Sequence, residues 1–143
     1  MQTFITDFNM AQNAKNLDNK RLGKQRVEGL QIASCLLEKE TRWKNHPTVK
    51  MWKGYEEFLL YFYLNWIFDQ WLRRGYKNEK CTETYERLCN ICKYPGFENI
   101  KTPLWLSIQF IESHRSNLIR KNPEFYRPLF LDTKEGLEYI WLV

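Results

Sequence analysis

The sequence predicts an all-α protein: a compact single domain over residues 1–143, a bundle of about four helices with an irregular, aromatic C-terminal arm. Three observations predict it. Apolar residues recur at helical spacing through most of the chain. Proline and glycine fall where helices would start and stop. The only stretches that read as extended are short and terminal, so no substantial sheet is expected. No linker, internal repeat or low-complexity segment divides the chain. A chain of this length can bury on the order of two thirds of its unfolded surface in one core. A hydrophobic fraction of 43% and an aromatic fraction of 16% supply that core and argue against disorder.

Residues 1–9 begin extended, with Thr3, Phe4, Ile5 and Thr6 β-branched or aromatic. The first helix runs from about Asp18 to about Lys39, with Leu22, Val27, Leu30, Ser34 and Leu37 as its apolar stripe and Lys20, Lys24, Gln31 and Glu38 opposite. Gly23 and Gly29 each cost it ~1 kcal/mol relative to alanine, which points to a close approach by protein or ligand. Residues 41–47 connect to a second helix, with Pro47 in its first turn. Val49, Trp52, Tyr55, Phe58, Leu59, Phe62, Trp66, Ile67, Trp71 and Leu72 carry its spacing to Arg74, and Gly75 ends it. A third helix is predicted from Thr82 to about Lys93, before Pro95-Gly96. A fourth is predicted from Thr102-Pro103, a cap followed by an N1 proline, to Lys121. Residues 124–143 read as a packed arm, with a short strand at Tyr139 to Val143.

The formal charge of +5 favours a polyanionic partner. Residues 1–20 are polar and charged throughout, unlike a signal peptide, so Cys35, Cys81, Cys89 and Cys92 are expected as free thiols of an intracellular protein. The most apolar run, Phe58 to Phe68, is too short to cross a bilayer, so no membrane partner is expected.

Four segments can carry chemistry. In KRLGKQRVE, Lys20 to Glu28, four of nine residues are basic and one carboxylate closes the run. Lys24 and Glu28 share a helix face, as do Arg21 and Lys24. Such cations can neutralise phosphates; a solvated face with an ordinary ion pair explains the same pattern. His46, just before a helix, can position a phosphate, move a proton, or cap. In SHRSNLIRK, His114, Asn117 and Lys121 lie on one face, flanked by Arg115 and Arg120; this suits a phosphodiester backbone or an ordinary basic surface. Cys81, Cys89 and Cys92 lack a fourth ligand for zinc and, with Leu88 and Ile91, read as an apolar face; no metal or cofactor is expected. Trp43, Trp52 and Tyr126 are candidates for stacking on a base.

The ordered set KRLGKQRVEGLQ, NHPTVKMW, QWLRRGY and SHRSNLIRK with PEFY resembles the pyrimidine-dimer DNA glycosylase family over nearly the whole chain. The resemblance implies an all-helical enzyme that removes a damaged pyrimidine from double-stranded DNA and then nicks the strand. In that family the N-terminal amine attacks C1′ and forms a Schiff base, assisted by a glutamate that falls on Glu28. The family histidine seven residues earlier falls on Arg21, and the arginine preceding the glutamate falls on Val27, with Arg26 as its substitute. Family members expose a threonine amine after Met removal. This chain begins Met1-Gln2, and a large second residue retains Met1, whose amine is then the expected nucleophile, with Lys24 the alternative. An α-amine, of reference pKa ~8 against ~10.4 for lysine, is the better nucleophile near neutrality.

The expected catalytic set is therefore Glu28, Met1 and Lys24. The expected DNA contacts are Arg21, Arg26, His46, Arg73, Arg74, His114, Arg115, Asn117, Arg120 and Lys121. No obligate protein partner is evident. Two other readings predict the same charge pattern: a non-catalytic DNA-binding module, and a protein whose basic face meets an acidic partner.

Overall fold

The structure, a computed structural model, describes residues 1–140. The all-α class holds, with no strand among the described residues. The helices are α1 (Met10–Asn16), α2 (Asn19–Leu37), α3 (Pro47–Trp52), α4 (Glu56–Phe58), α5 (Asn65–Arg73), α6 (Glu79–Ile91), α7 (Ile108–Lys121) and α8 (Pro123–Leu129). A π-helical stretch, Leu59–Leu64, joins α4 to α5 without a break.

The central helix is α2, which packs against α3, α4, α5, α6 and the π-helical stretch. Its buried stripe is Leu22, Gln25, Gly29, Leu30, Ile32, Ala33 and Cys35, rotated from the expected one, so that Val27 is 45% exposed. Both glycines meet protein side chains. A Cβ on Gly23 would lie 3.1 Å from the Trp71 indole, and one on Gly29 would lie 2.5 Å from Leu64 Cδ2. Gly29→Ala is therefore expected to destabilise by about 1–3 kcal/mol in urea titration, because overpacking against Leu64 outweighs the ~1 kcal/mol helix-propensity gain. A neutral or stabilising result would mean that Leu64 can move aside.

The expected helix from Pro47 to Arg74 is divided. The chain turns at Gly54, whose φ of +90° a glycine adopts without strain, between α3 and α4. Beyond it Phe58, Leu59, Leu60, Tyr63, Leu64, Ile67 and Phe68 form the buried spine, while Trp66 and Leu72 face outward. No helix among the described residues is long and apolar enough to cross a membrane.

The boundaries of three other elements differ from expectation. The third helix starts earlier, at Glu79, and Ile91 is half exposed and not part of an apolar face. The fourth starts at Ile108, not Thr102, because the preceding turn drives Pro103 and Trp105 inward. The Trp105 indole N–H donates to the Met51 carbonyl at 2.7 Å, and Ser107 caps the helix by accepting the Phe110 N–H at 3.2 Å. Part of the expected irregular arm is α8, which opens with an Asn122 cap and an N1 Pro123. In α8 Tyr126 is fully buried, and its hydroxyl donates to the Asp18 carboxylate at the start of α2. Trp52 is equally buried, so neither ring is a surface stacking platform. The seven-residue α1 was not anticipated; it is too short to show a period and is set by its Asn9 cap. Of the expected terminal strand, Tyr139 and Ile140 are not in a strand, and 141–143 lie outside the described residues.

Candidate active site

Residues 2–6 form an extended segment that runs through the helices with no strand beside it. Buried backbone groups need partners, and here side chains supply them. The Gln25 amide does most: its Nε2 donates to the Gln2 carbonyl at 3.0 Å, and its Oε1 accepts the Phe4 N–H at 2.7 Å. One carboxamide thus bonds the segment as a neighbouring strand would. The Tyr63 hydroxyl donates to the Phe4 carbonyl at 3.1 Å and also meets Gln25 Oε1. Asn13 holds the Phe4 carbonyl and the Thr6 N–H, and the Trp52 indole donates to the Thr3 hydroxyl at 2.9 Å. The Met1 carbonyl accepts from the Thr48 hydroxyl at 3.3 Å.

This clasp brings the start of the chain to Glu28. The Gln2 N–H donates to Glu28 Oε2 at 2.7 Å, linking residues 26 apart in sequence. Glu28 is half buried, one turn beyond Gln25 on α2. His46 is close by. Its Nδ1 accepts the Thr48 N–H at 3.1 Å as the cap of α3, and that bond leaves the neutral ring's proton on Nε2. Burial first, and then the N-terminal ammonium, hold the imidazole below its usual pKa, while Glu28 opposes them. Burial likewise raises the phenols of Tyr63 and Tyr139, and the Glu28 charge adds to both shifts. Glu28 is therefore within electrostatic reach of His46, Tyr63 and Tyr139, and His46 is within reach of the N-terminal amine as well.

Beside them the outer face of α2 floors a cleft of about 550 Å³, lined by Lys20, Gly23, Lys24, Val27, Glu28 and Trp71 among others. Both lysines are exposed, so the cleft floor is cationic apart from Glu28. Arg26 lies over Trp71 at 4.1 Å and donates to the Asn78 side chain at 2.8 Å. Arg21 pairs with Asp18 at 3.2 Å. Arg74 bridges to Asn19 on the cleft wall at 2.9 Å and to the last carbonyls of α1.

Of the residues expected at the site, the start of the chain and His46 are brought to Glu28, and Lys24 lines the same cleft as Glu28; Arg26 and Arg74 contact residues that line that cleft, and Arg21 pairs with Asp18. Other expected contacts are not gathered there. Arg73 is exposed and pairs with Asp69 at 2.7 Å. Arg115 donates to the Thr6 carbonyl at 2.7 Å and lies over Phe130. On α7, Arg120 and Lys121 are exposed and Asn117 is half buried. His114 is a correction: it is 1% exposed, packed on Phe110, and its Nδ1 accepts the Ile5 N–H at 3.0 Å, so it faces the core and not a phosphate. The thiols of Cys81, Cys89 and Cys92 are free and half buried, and burial pushes Cys92 up to about 11. Among the described residues no group of three or more His, Cys, Asp or Glu is placed to hold a metal.

His114 makes the fold acid-sensitive. Burial lowers its pKa from 6.5 to about 3, so the folded chain binds this proton less readily than the unfolded chain. Its contribution is full above the unfolded value and is lost as pH falls from there toward the folded one, at about 1.4 kcal/mol per pH unit. Urea midpoints measured from pH 7 to pH 4 are expected to fall accordingly. His114→Asn, whose Oδ1 can accept the same N–H, should flatten that slope; an unchanged slope would assign it to other groups.

Periodicity missed Gln25, Thr48 and Tyr63. One signal was available: Gln25 stands three residues after Leu22 and four before Gly29, a polar side chain in a core register.

A family model described as pyrimidine dimer DNA glycosylase matches residues 1–84, more than half of the chain. That span contains the extended segment, α1 to α5, the start of α6, Glu28, Lys24 and His46. No curated protein and no solved structure gives a match.

Proposed function

The chain belongs to the pyrimidine dimer DNA glycosylase family, and from that membership we propose that it removes a damaged or modified pyrimidine from duplex DNA and then nicks the strand through an amine Schiff base. DNA is the partner the family implies. The observation that carries the reading is the Gln2 N–H bond to Glu28, which sets a carboxylate at the first residues of the chain beside a cationic cleft. The uncharged amine of Met1 attacks C1′, the glycosidic bond breaks, and the base leaves with its electron pair. Glu28 stabilises the positive charge that builds on the sugar. The C1′–O4′ bond then opens, with a proton passing to O4′, and the adduct becomes an iminium that acidifies C2′; loss of that proton expels the 3′ phosphate and breaks the strand. Lys20 and Lys24 neutralise backbone phosphates at the cleft floor, and their contribution weakens with salt.

Borohydride trapping tests this. With a duplex carrying an abasic site, the reading expects a covalent adduct that survives denaturation and maps to the Met1 amine by peptide mass spectrometry. Mapping to Lys24 would move the nucleophile to the cleft floor. Salt-sensitive binding with no adduct would instead support a non-catalytic DNA-binding module.

A further inference from the structure

We propose that Thr48, held in place by His46, is a positioning residue that aims the Met1 amine at the sugar; the proposal rests on the glycosylase reading above. The peptide unit between Met1 and Gln2 is held on both of its edges. On one, the Gln2 N–H donates to Glu28 Oε2 at 2.7 Å; on the other, the Met1 carbonyl accepts from the Thr48 hydroxyl at 3.3 Å. A peptide unit is planar, and in its trans form the N–H and the C=O point to opposite sides. Bonds on opposite edges therefore fix the plane, whereas either one alone lets it pivot. The following unit is fixed in turn by Gln25, which donates to the Gln2 carbonyl at 3.0 Å. Only the torsion about the Met1 Cα–C bond then lies between the held plane and the α-amine.

The run His46-Pro47-Thr48 is arranged to supply that second edge. A threonine inside a helix can turn its hydroxyl back to a carbonyl one turn earlier. Thr48 lies in the first turn of α3, with no helical turn before it, so its hydroxyl reaches a residue 47 positions away. Thr48 is fully buried, its N–H is accepted by His46 Nδ1 at 3.1 Å, and Pro47 restricts the backbone between the two. Trp43 stands edge-on to the imidazole, with centroids 6.1 Å apart. His46 lies within electrostatic reach of the amine and Glu28, which invites a role as a proton carrier. The cap argues against that role. An imidazolium bears a proton on each nitrogen, so a protonated His46 would set an N–H against the Thr48 N–H and lose the bond. Burial and the N-terminal ammonium hold the ring below its usual pKa, which favours the neutral, capping form.

The test uses the full chain and a duplex carrying an abasic site, at a temperature where each variant is folded. The wild type is expected to form a borohydride adduct at Met1. Thr48→Val, which keeps the outline of the side chain and loses its hydroxyl, should slow adduct formation at saturating DNA about 10-fold. It should leave the dissociation constant for DNA within about twofold and raise the share of adduct found at Lys24, two readouts that a packing defect alone would not separate from the rate. Thr48→Ser, which keeps the hydroxyl, should restore the rate to within about threefold of wild type. His46→Asn, whose Oδ1 can accept the Thr48 N–H, should do the same, whereas His46→Ala, with no acceptor, should fall with Thr48→Val. His46→Ala acts from the half-buried cap and decides the matter should Thr48→Val not fold. A wild-type rate in Thr48→Val or His46→Ala overturns the proposal. So does a loss in Thr48→Ser as deep as in Thr48→Val, or a loss in His46→Asn as deep as in His46→Ala, the latter making His46 a proton carrier. If the wild type forms no adduct, or forms it only at Lys24, the amine reading above fails and takes the proposal with it; if the adduct forms at Met1 and the variants match the wild type, only the positioning role fails.

Discussion

Glu28→Gln is expected to slow base release by on the order of 10³-fold while leaving the fold and the affinity for DNA close to wild type. The substitution keeps the shape of the side chain, and its amide oxygen can still accept the Gln2 N–H that Glu28 Oε2 accepts at 2.7 Å. What it removes is the negative charge that, in the proposed mechanism, faces the sugar. That charge matters in proportion to the positive charge developing at C1′, which is small in the bound substrate and large in the transition state. Single-turnover release and thermal melting, measured side by side, read the two effects separately. Wild-type release would remove Glu28 from the chemistry. Loss of folding would make it a structural carboxylate that pins the start of the chain.

Gln25→Leu is expected to cost roughly 2–4 kcal/mol of stability, because it leaves the Gln2 carbonyl and the Phe4 N–H without their partner in the core, each worth about 1–3 kcal/mol. The melting temperature should fall by roughly 5–15 °C. Activity should fall further than stability, by about 10²-fold at a temperature where the variant is folded. Gln25 fixes the backbone on either side of Thr3, and the amine extends from that anchor, so a displacement near ~1 Å there would misaim the proposed nucleophile. Gln25→Glu sharpens the assignment. A carboxylate can still accept the Phe4 N–H but cannot donate to Gln2, and it sets a second negative charge one turn from Glu28. Melting curves that match the wild type for both variants would show that water or a shifted Asn13 can replace the clasp.

Much of the architecture could be read from local rules. Pro47 opens a helix, and Gly75, at a φ of +89°, ends another, because each residue type has the backbone freedom those positions require. Gly23 and Gly29 signalled close approach, and Trp71 and Leu64 make it. Thr102-Pro103 misled, since a cap-like pair gives no sign that Trp105 behind it is drawn into the core before α7 begins. Val27 misled in the other direction. A shift of the buried stripe by a fraction of a turn leaves it exposed among the residues that line the cleft beside Glu28, and a stripe that includes Gln25 looks less apolar than one that includes Val27.

The sequence by itself determined the helical class, the helix whose basic run is closed by one carboxylate, and the family to which the chain belongs, because spacing and motif are properties of neighbouring residues. Only the tertiary structure decided that Glu28 meets Gln2, that His46 and Thr48 stand beside them, and that His114 lies in the core. The first residues of the chain find their bonding partners on α1, α2, α3, the π-helical stretch and α7, as far as 109 positions away. A segment satisfied by side chains from that many helices leaves no period of its own in the sequence. Its partners become identifiable only when the helices pack.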